Sequence, residues 1–516
     1  MSEDASVTSQ VAPSSGKPGK KKIVVCCDGT GNDFRFPNVV PDKEGSGQNS
    51  NVVKFYTALQ IDNEQVGYYH PGVGTMGAPT ATHWYTRQWT KIKGVAFGYG
   101  FRDNVLDAYR YLMENYNDNN GDGDEVYIVG FSRGAYTARA LAGLLHGYGL
   151  LCRGNEGHLA YAWRMYVAQH GRRGERTVTP DEAFKETFAH PNFTIKFVGV
   201  WDTVSSVGWI STPLRLFNVS QNDSIQIARH AVSIDERRCF FTDNLWGEPS
   251  SKTDLVQVWF PGVHSDVGGS YLQTESKLSD TALRWMLDEA AAAGIRLHPI
   301  RSQLVIGIVP DGTTDHEELL LCTTGDLYFH ESLKGPWWLV EFLPHIYYDK
   351  DLGEVHGHTP EEASKDSAEL RRIPFGEHRQ LPDGALLHAS VIDLMADSGL
   401  EKRYAPPNIL CGKWAPSGIS GQDGREYFRY TAPPPRPPNA LQRAFQSKPV
   451  MWTIGCIELG FYAFVLTLIL FVVLHFAIVL IVCLLHHTPV WITHPLHVIY
   501  NVITWYPRAW GWCRCS

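Results

Sequence analysis

At 516 residues the chain has room for one large α/β body with insertions, or for two or three ordinary domains. Hydrophobic residues make up 44% and charged residues 19%, which excludes a mainly disordered chain. Asp and Glu (54) outnumber Lys and Arg (46), a net charge of -8 without a basic stripe, and this argues against nucleic acid as a partner.

Residues 1–20 are Ser-rich, end in basic residues and lack the apolar core of a secretory signal, so they read as a disordered leader. Four apolar runs follow, each closed by a polar turn: KIVVCCDGTGND, EVYIVGFSRGA, TIKFVGVWDTVSSVG and LVQVWFPGVHSDVGG. Short runs rich in Val and Ile suit buried parallel strands. Between them, residues 101–116 and 281–294 carry helical spacing. Strand, polar turn and helix in alternation predict an α/β fold over residues 21–300, a doubly wound and mostly parallel sheet. The ligand site of such a sheet lies at the carboxyl ends of its strands, where all four turns fall.

Residues 301–430 are expected to complete this body or cap it. There SQLVIGIVP and ELLLCTTGDLYFH look like strands, and PWWLVEFLPHIYY is an aromatic segment suited to a lid. Residues 431–450 include APPPRPPNALQ, a proline-rich spacer. Residues 459–485 contain no Asp, Glu, Lys or Arg. About 20 apolar residues cross a bilayer, so a transmembrane helix is predicted within residues 451–487, as a single span or a re-entrant hairpin. Arg429, Arg436, Arg443 and Lys448 precede it and only Arg508 and Arg514 follow, which predicts a tail-anchored, single-pass membrane protein with its body facing the cytoplasm. The tail, residues 488–516, carries Trp491, Trp505, Trp510 and Trp512, suited to the membrane interface.

Gly-Phe-Ser-Arg-Gly at 130–134 is a weak motif alone. Its place between a strand and a helix makes Ser132 a candidate nucleophile on a sharp turn. A serine hydroxyl needs a base, and the base an orienting acid. Asp202 and His264 follow later strands in that order, so the expected set is Ser132, Asp202 and His264. Asp235, Asp254 and Asp266 compete as the acid, with Asp266 better suited to shaping the turn after His264. Among other histidines near strand-like segments, His388 is the runner-up base and His330 a further competitor. The backbone N–H of Arg133 is expected in the oxyanion hole, with Gly29 or Thr30 of the first turn as the second donor. No GxxxxGK[ST] loop is present, and the ten cysteines form no CxxC pair, so neither metal nor organic cofactor is expected.

Taken in order, CDGTGND, SNVVKFYTAL, YYHPGVGT, FGYGFRDNVLDAYRYL, VYIVGFSRGAYTAR, FVGVWDTVSSVG and FPGVHSDVGGSY resemble the α/β-hydrolase family that includes the phospholipase effectors of bacterial type VI secretion. The resemblance spans roughly residues 21–300. It implies a Ser132, Asp202, His264 triad and hydrolysis of lipid esters, phospholipids first among them. The C-terminal span departs from an injected toxin and would hold the body at a membrane. Two other classes stay open on the residues: a non-catalytic membrane adaptor built on a hydrolase fold, and an acyltransferase using the same serine. Oligomeric state is not readable from the sequence.

Overall fold

Each of the four apolar runs forms a strand, and all four belong to one nine-stranded sheet. Its strands are β1 (Lys22–Cys27), β2 (Gln65–His70), β3 (Glu125–Phe131), β4 (Ile195–Trp201), β5 (Ile225–Ser233), β6 (Asp254–Phe260), β7 (Leu386–His388), β8 (Lys413–Ser420) and β9 (Glu426–Thr431). They lie in the order β2-β1-β3-β4-β5-β6-β7-β9-β8. Pairing is parallel from β2 through β7 and antiparallel at the β7–β9 and β9–β8 edge. The computed structural model describes residues 20–29, 32, 48–72, 100–119, 121–170, 181–204, 208–209, 212–213, 222–247, 251–309, 327–335, 337–341, 345–346, 371–372, 375–400 and 403–434. The chain divides into two units, residues 1–438 and 439–516, and the second lies outside the described residues. The expected leader (bar Lys20), most of the spacer, the span and the aromatic tail fall there too. Among the described residues no helix is long and apolar enough to cross a membrane.

Alternation along each strand decides the layers, because successive side chains leave a strand on opposite faces. Ile23, Val25 and Cys27 of β1, with Val126 and Ile128 of β3, enter one core, and Val24, Cys26, Tyr127 and Val129 enter another. The main helices are α1 (Asn51–Ala58), α2 (Phe101–Asn115), α3 (Arg133–Tyr148), α4 (His264–Gly268) and α5 (Lys277–Ala292). Helices α2 and α3 fill the first core, while α1 and α5 fill the second. Runs apolar on both faces, as expected of strands between two helical layers, follow from this arrangement.

The chain leaves β1 toward β2 on one side, and β3 lies on the other, so the strand order reverses between β1 and β3. Ligand sites of open α/β sheets form at such a point, beyond the carboxyl ends. Here those ends carry Asp28-Gly29 and Ser132.

Two features differ from the sequence expectation. Strand β5 was not foreseen because Gln226, Arg229 and His230 interrupt its apolar run. The interruption is tolerated because each buried polar group has a partner: Arg229 donates to Glu289 at 2.6 Å, and His230 accepts from the Thr203 amide and meets Gln257. SQLVIGIVP is not a strand. Residues Arg301–Leu304 form a helical turn whose bonds run from Leu304 to Ile300 and Val305 to Arg301, and the chain then turns at Gly307, φ 81°. Of the aromatic segment, Trp337–Glu341 is helical and His345–Ile346 extended; most of ELLLCTTGDLYFH lies outside the described residues.

Candidate active site

Ser132 joins β3 to α3 with φ 58° and ψ -123°, a conformation that a non-glycine residue adopts only under strain. Close packing on both sides fixes it. A Cβ on Gly134 would stand 2.2 Å from the Cys27 carbonyl oxygen, and one on Gly130 would stand 2.5 Å from that of Gly134. The Ser132 amide donates to the Trp201 carbonyl at 3.1 Å, tying the turn to the end of β4.

Asp202 stands at the end of β4, also at positive φ (38°), and His264 opens α4 after β6. His264 Nε2 lies 2.8 Å from Ser132 Oγ, and its Nδ1 lies 2.5 Å from Asp202 Oδ2. All three side chains are buried. The structure therefore brings together the three residues read from separate strand ends.

The first turn meets Ser132 through an α-carbon. A Cβ on Gly29 would lie 3.3 Å from Ser132 Cβ and 3.0 Å from Phe131 Cδ1, so a side chain there would press on the serine turn by a few tenths of an ångström. The Gly29 amide, expected to point at an oxyanion, instead donates to Asp28 Oδ1 at 2.6 Å. Asp28 also accepts from Tyr69 and Ser50 at 2.7 and 2.8 Å. Burial pushes its carboxyl up to about 6 against these bonds. Arg133 is the first residue of α3, and Thr30 lies outside the described residues.

The competing residues are engaged elsewhere. His388 is fully buried, with Nδ1 2.8 Å from Ser390 Oγ and Nε2 2.9 Å from Asp423, so the runner-up base belongs to a separate cluster that joins β7 to the β8–β9 turn. Asp235 accepts from Tyr404 and the Gly262 amide, and Asp254 pairs with Arg229. Asp266 accepts from the Val263 amide, shaping the turn as expected, and holds His330 Nδ1 at 2.6 Å.

Sequence reasoning missed two charged residues at this site. Arg379 Nη1 and Nη2 donate to Asp202 Oδ1 and Oδ2 at 2.6 and 3.1 Å. Glu236 accepts from the His264 amide at 3.3 Å and pairs with Arg238 at 2.9 Å. Recognition of β5 would have exposed Glu236, since it follows that strand on the same edge. No local signal marks Arg379.

Burial lowers the proton affinity of His264 below the ordinary imidazole value of 6.5, opposed by the hydrogen bond and charge of Asp202. Phe131 and Phe241 pack against the ring at centroid distances of 4.7 and 4.8 Å. Burial would by itself raise Asp202; the charge of Arg379 and the bond to His264 overcome it and hold the carboxylate well below its usual range. Both shifts favour a neutral imidazole facing the serine hydroxyl, backed by an ionised carboxylate. A general base works unprotonated, so with His264 in that role a lowered imidazole value would extend activity toward acid. In a pH–rate profile of p-nitrophenyl butyrate hydrolysis, the acid-side half-maximum of kcat/KM is expected below pH 6.5; a half-maximum above pH 7 would contradict this. An Asp28→Asn variant separates any contribution of that carboxyl from His264.

A mostly parallel α/β sheet with helices on both faces carries a serine turn and an imidazole–carboxylate pair at its carboxyl edge, which places the protein in the α/β class. The chain belongs to the type VI secretion (T6SS) phospholipase effector Tle1-like family, whose catalytic domain its residues 21–289 match. An uncharacterized protein of Saccharomyces cerevisiae is 26% identical over 458 residues, covering 63% of this chain, and the chain spans 64% of that relative's length. Two solved structures are similar at a TM-score of 0.32: an uncharacterized protein from Pseudomonas aeruginosa (18% identity, 68% of this chain and 53% of that one) and the Tle1 effector bound to the VgrG spike (15% identity, 61% and 88%).

Proposed function

We propose that this protein is a serine hydrolase that cleaves carboxylic ester bonds of phospholipids at a membrane to which residues 451–487 anchor it. The observation that carries the reading is the chain of contacts from Ser132 Oγ through His264 to Asp202, 2.8 and 2.5 Å long, built on a strained serine turn. Ser132 Oγ bonds to the ester carbonyl carbon as its proton passes to His264 Nε2. Collapse of the tetrahedral intermediate breaks the bond to the alcohol, which departs with that proton. Water repeats the sequence and releases the fatty acid. Asp202 orients His264 and stabilises its charged form. The Arg133 amide, at the positive end of α3, supports the oxyanion, joined by the first turn when the Gly29 amide swings away from Asp28.

Length and apolarity of residues 459–485 support the anchor, and the preceding Arg and Lys residues support a body facing the cytoplasm. Full-length protein incubated with phosphatidylcholine vesicles is expected to release fatty acid and lysophospholipid in equal amounts, and to take a fluorophosphonate on Ser132. Intact vesicles together with an unlabelled Ser132 would overturn the enzyme reading. Retention in alkali-washed membranes after deletion of residues 451–487 would overturn the anchor.

A further inference from the structure

We infer that Arg379 is a positioning residue for the proposed reaction, clamping the Asp202 carboxylate so that one oxygen is presented to His264 and its charge is balanced. The inference rests on the Ser132, His264, Asp202 reading. Arg379 lies beyond the family-matched residues 21–289, so this part of the site is supplied by the segment that carries the chain into β7.

A buried carboxylate that faces only an imidazole is under two pressures: burial favours its protonation, and rotation about its side-chain bonds can swap the oxygen that the imidazole sees. Arg379 opposes both. Its planar fork takes Asp202 at two nitrogens, leaving Oδ1 with the Ser233 amide (2.8 Å) and Nη1 (2.6 Å), and Oδ2 turned to His264. The fork is itself fixed, since Nη1 also donates to the Ser233 carbonyl and hydroxyl, at 3.0 and 2.7 Å, and Nη2 to the Phe241 carbonyl at 2.5 Å. Behind it, Asn408 Nδ2 donates to both the Ile234 and Arg379 carbonyls, locking the Arg379 backbone against the end of β5.

The electrostatic consequence has a definite sign. The charged groups around His264 include two ion pairs, Asp202 with Arg379 and Glu236 with Arg238; Asp266, on the turn after His264, meets His330 Nδ1, while Asp243 and His230 face the Asp202–Arg379 pair. Removing Arg379 leaves Asp202 unbalanced against the imidazole, so His264 takes a proton more readily.

The test compares Arg379→Gln and Arg379→Lys with the wild-type full-length chain, using p-nitrophenyl butyrate and rates normalised to active sites counted with a fluorophosphonate. Arg379→Gln is expected to lower kcat at least tenfold with KM within twofold, and to move the acid limb of the pH–rate profile upward by about half a unit or more. Arg379→Lys keeps the charge without the fork. It is expected to restore the acid limb while leaving kcat several-fold low. Should Arg379→Gln not fold, Arg379→Lys alone carries the test, and unchanged kcat per active site would overturn the inference. So would an Arg379→Gln enzyme with wild-type pH dependence whose losses track only the folded fraction. Undiminished labelling of Ser132→Ala would instead defeat the triad reading itself, a result independent of both Arg379 variants.

Discussion

Ser132→Ala is expected to lower ester hydrolysis by about 10⁶-fold in kcat and to abolish fluorophosphonate labelling, because a nucleophile that forms the covalent intermediate has no substitute. Substrate binding is expected to change little. The fold should survive, since the hydroxyl's one described partner is His264 Nε2 at 2.8 Å and a hydrogen bond of this kind contributes about 1 kcal/mol net. A companion variant tests the turn. At φ 58° alanine remains strained where glycine does not, and such strain costs about 1–3 kcal/mol. Ser132→Gly should therefore be equally inactive yet more stable to urea than Ser132→Ala. The opposite order would show that the turn is unstrained in solution, and residual labelling of either variant would place the nucleophile elsewhere.

Asp202→Asn is expected to have two separable effects. The amide cannot hold His264 in the tautomer that accepts the serine proton, which costs about 10⁴-fold in kcat. It also strands Arg379, whose guanidinium is buried and pairs with both carboxylate oxygens. Breaking a buried ion pair from one side costs about 3–5 kcal/mol, because the remaining charge stays desolvated. The double variant Asp202→Asn/Arg379→Gln should recover much of the stability and none of the rate. Additive losses of stability in the double variant would mean the two residues do not act as a pair. The pH dependence of stability follows the same logic. Asp202 has a folded value depressed below the ordinary 3.8, so its contribution is present above that value and is lost as pH falls through the depressed one.

The sequence made the four catalytic-edge strands and the serine turn legible because their signals are short-range. A Val- and Ile-rich run closed by glycine is readable within a dozen residues, and so is the helical spacing of residues 101–116, found as Phe101–Asn115. The order of Ser132, Asp202 and His264 came from placing each residue after a strand. Errors fell where that local pattern breaks. Strand β5 carries Arg229 and His230, which only their buried partners make tolerable, and SQLVIGIVP has the composition of a strand yet forms a helical turn.

What the tertiary structure decided is the wiring of those residues. Among several histidines at strand-like ends, distance selects His264 as the neighbour of Ser132, while His388 is held by Ser390 and Asp423. Arg379 reaches Asp202 across 177 residues of chain, and no periodicity encodes a contact of that range. The protonation of His264 likewise depends on burial between Phe131 and Phe241, on Asp202, and on the ion pairs that surround it. Backbone strain and hydrophobic alternation act between near neighbours, so the sequence by itself determined the strands, the strained turn and the order of the candidate residues. Charge pairing and desolvation act through space and exist only once the sheet is assembled, so which histidine faces Ser132, and which charged groups surround that histidine and Asp202, were set by the fold.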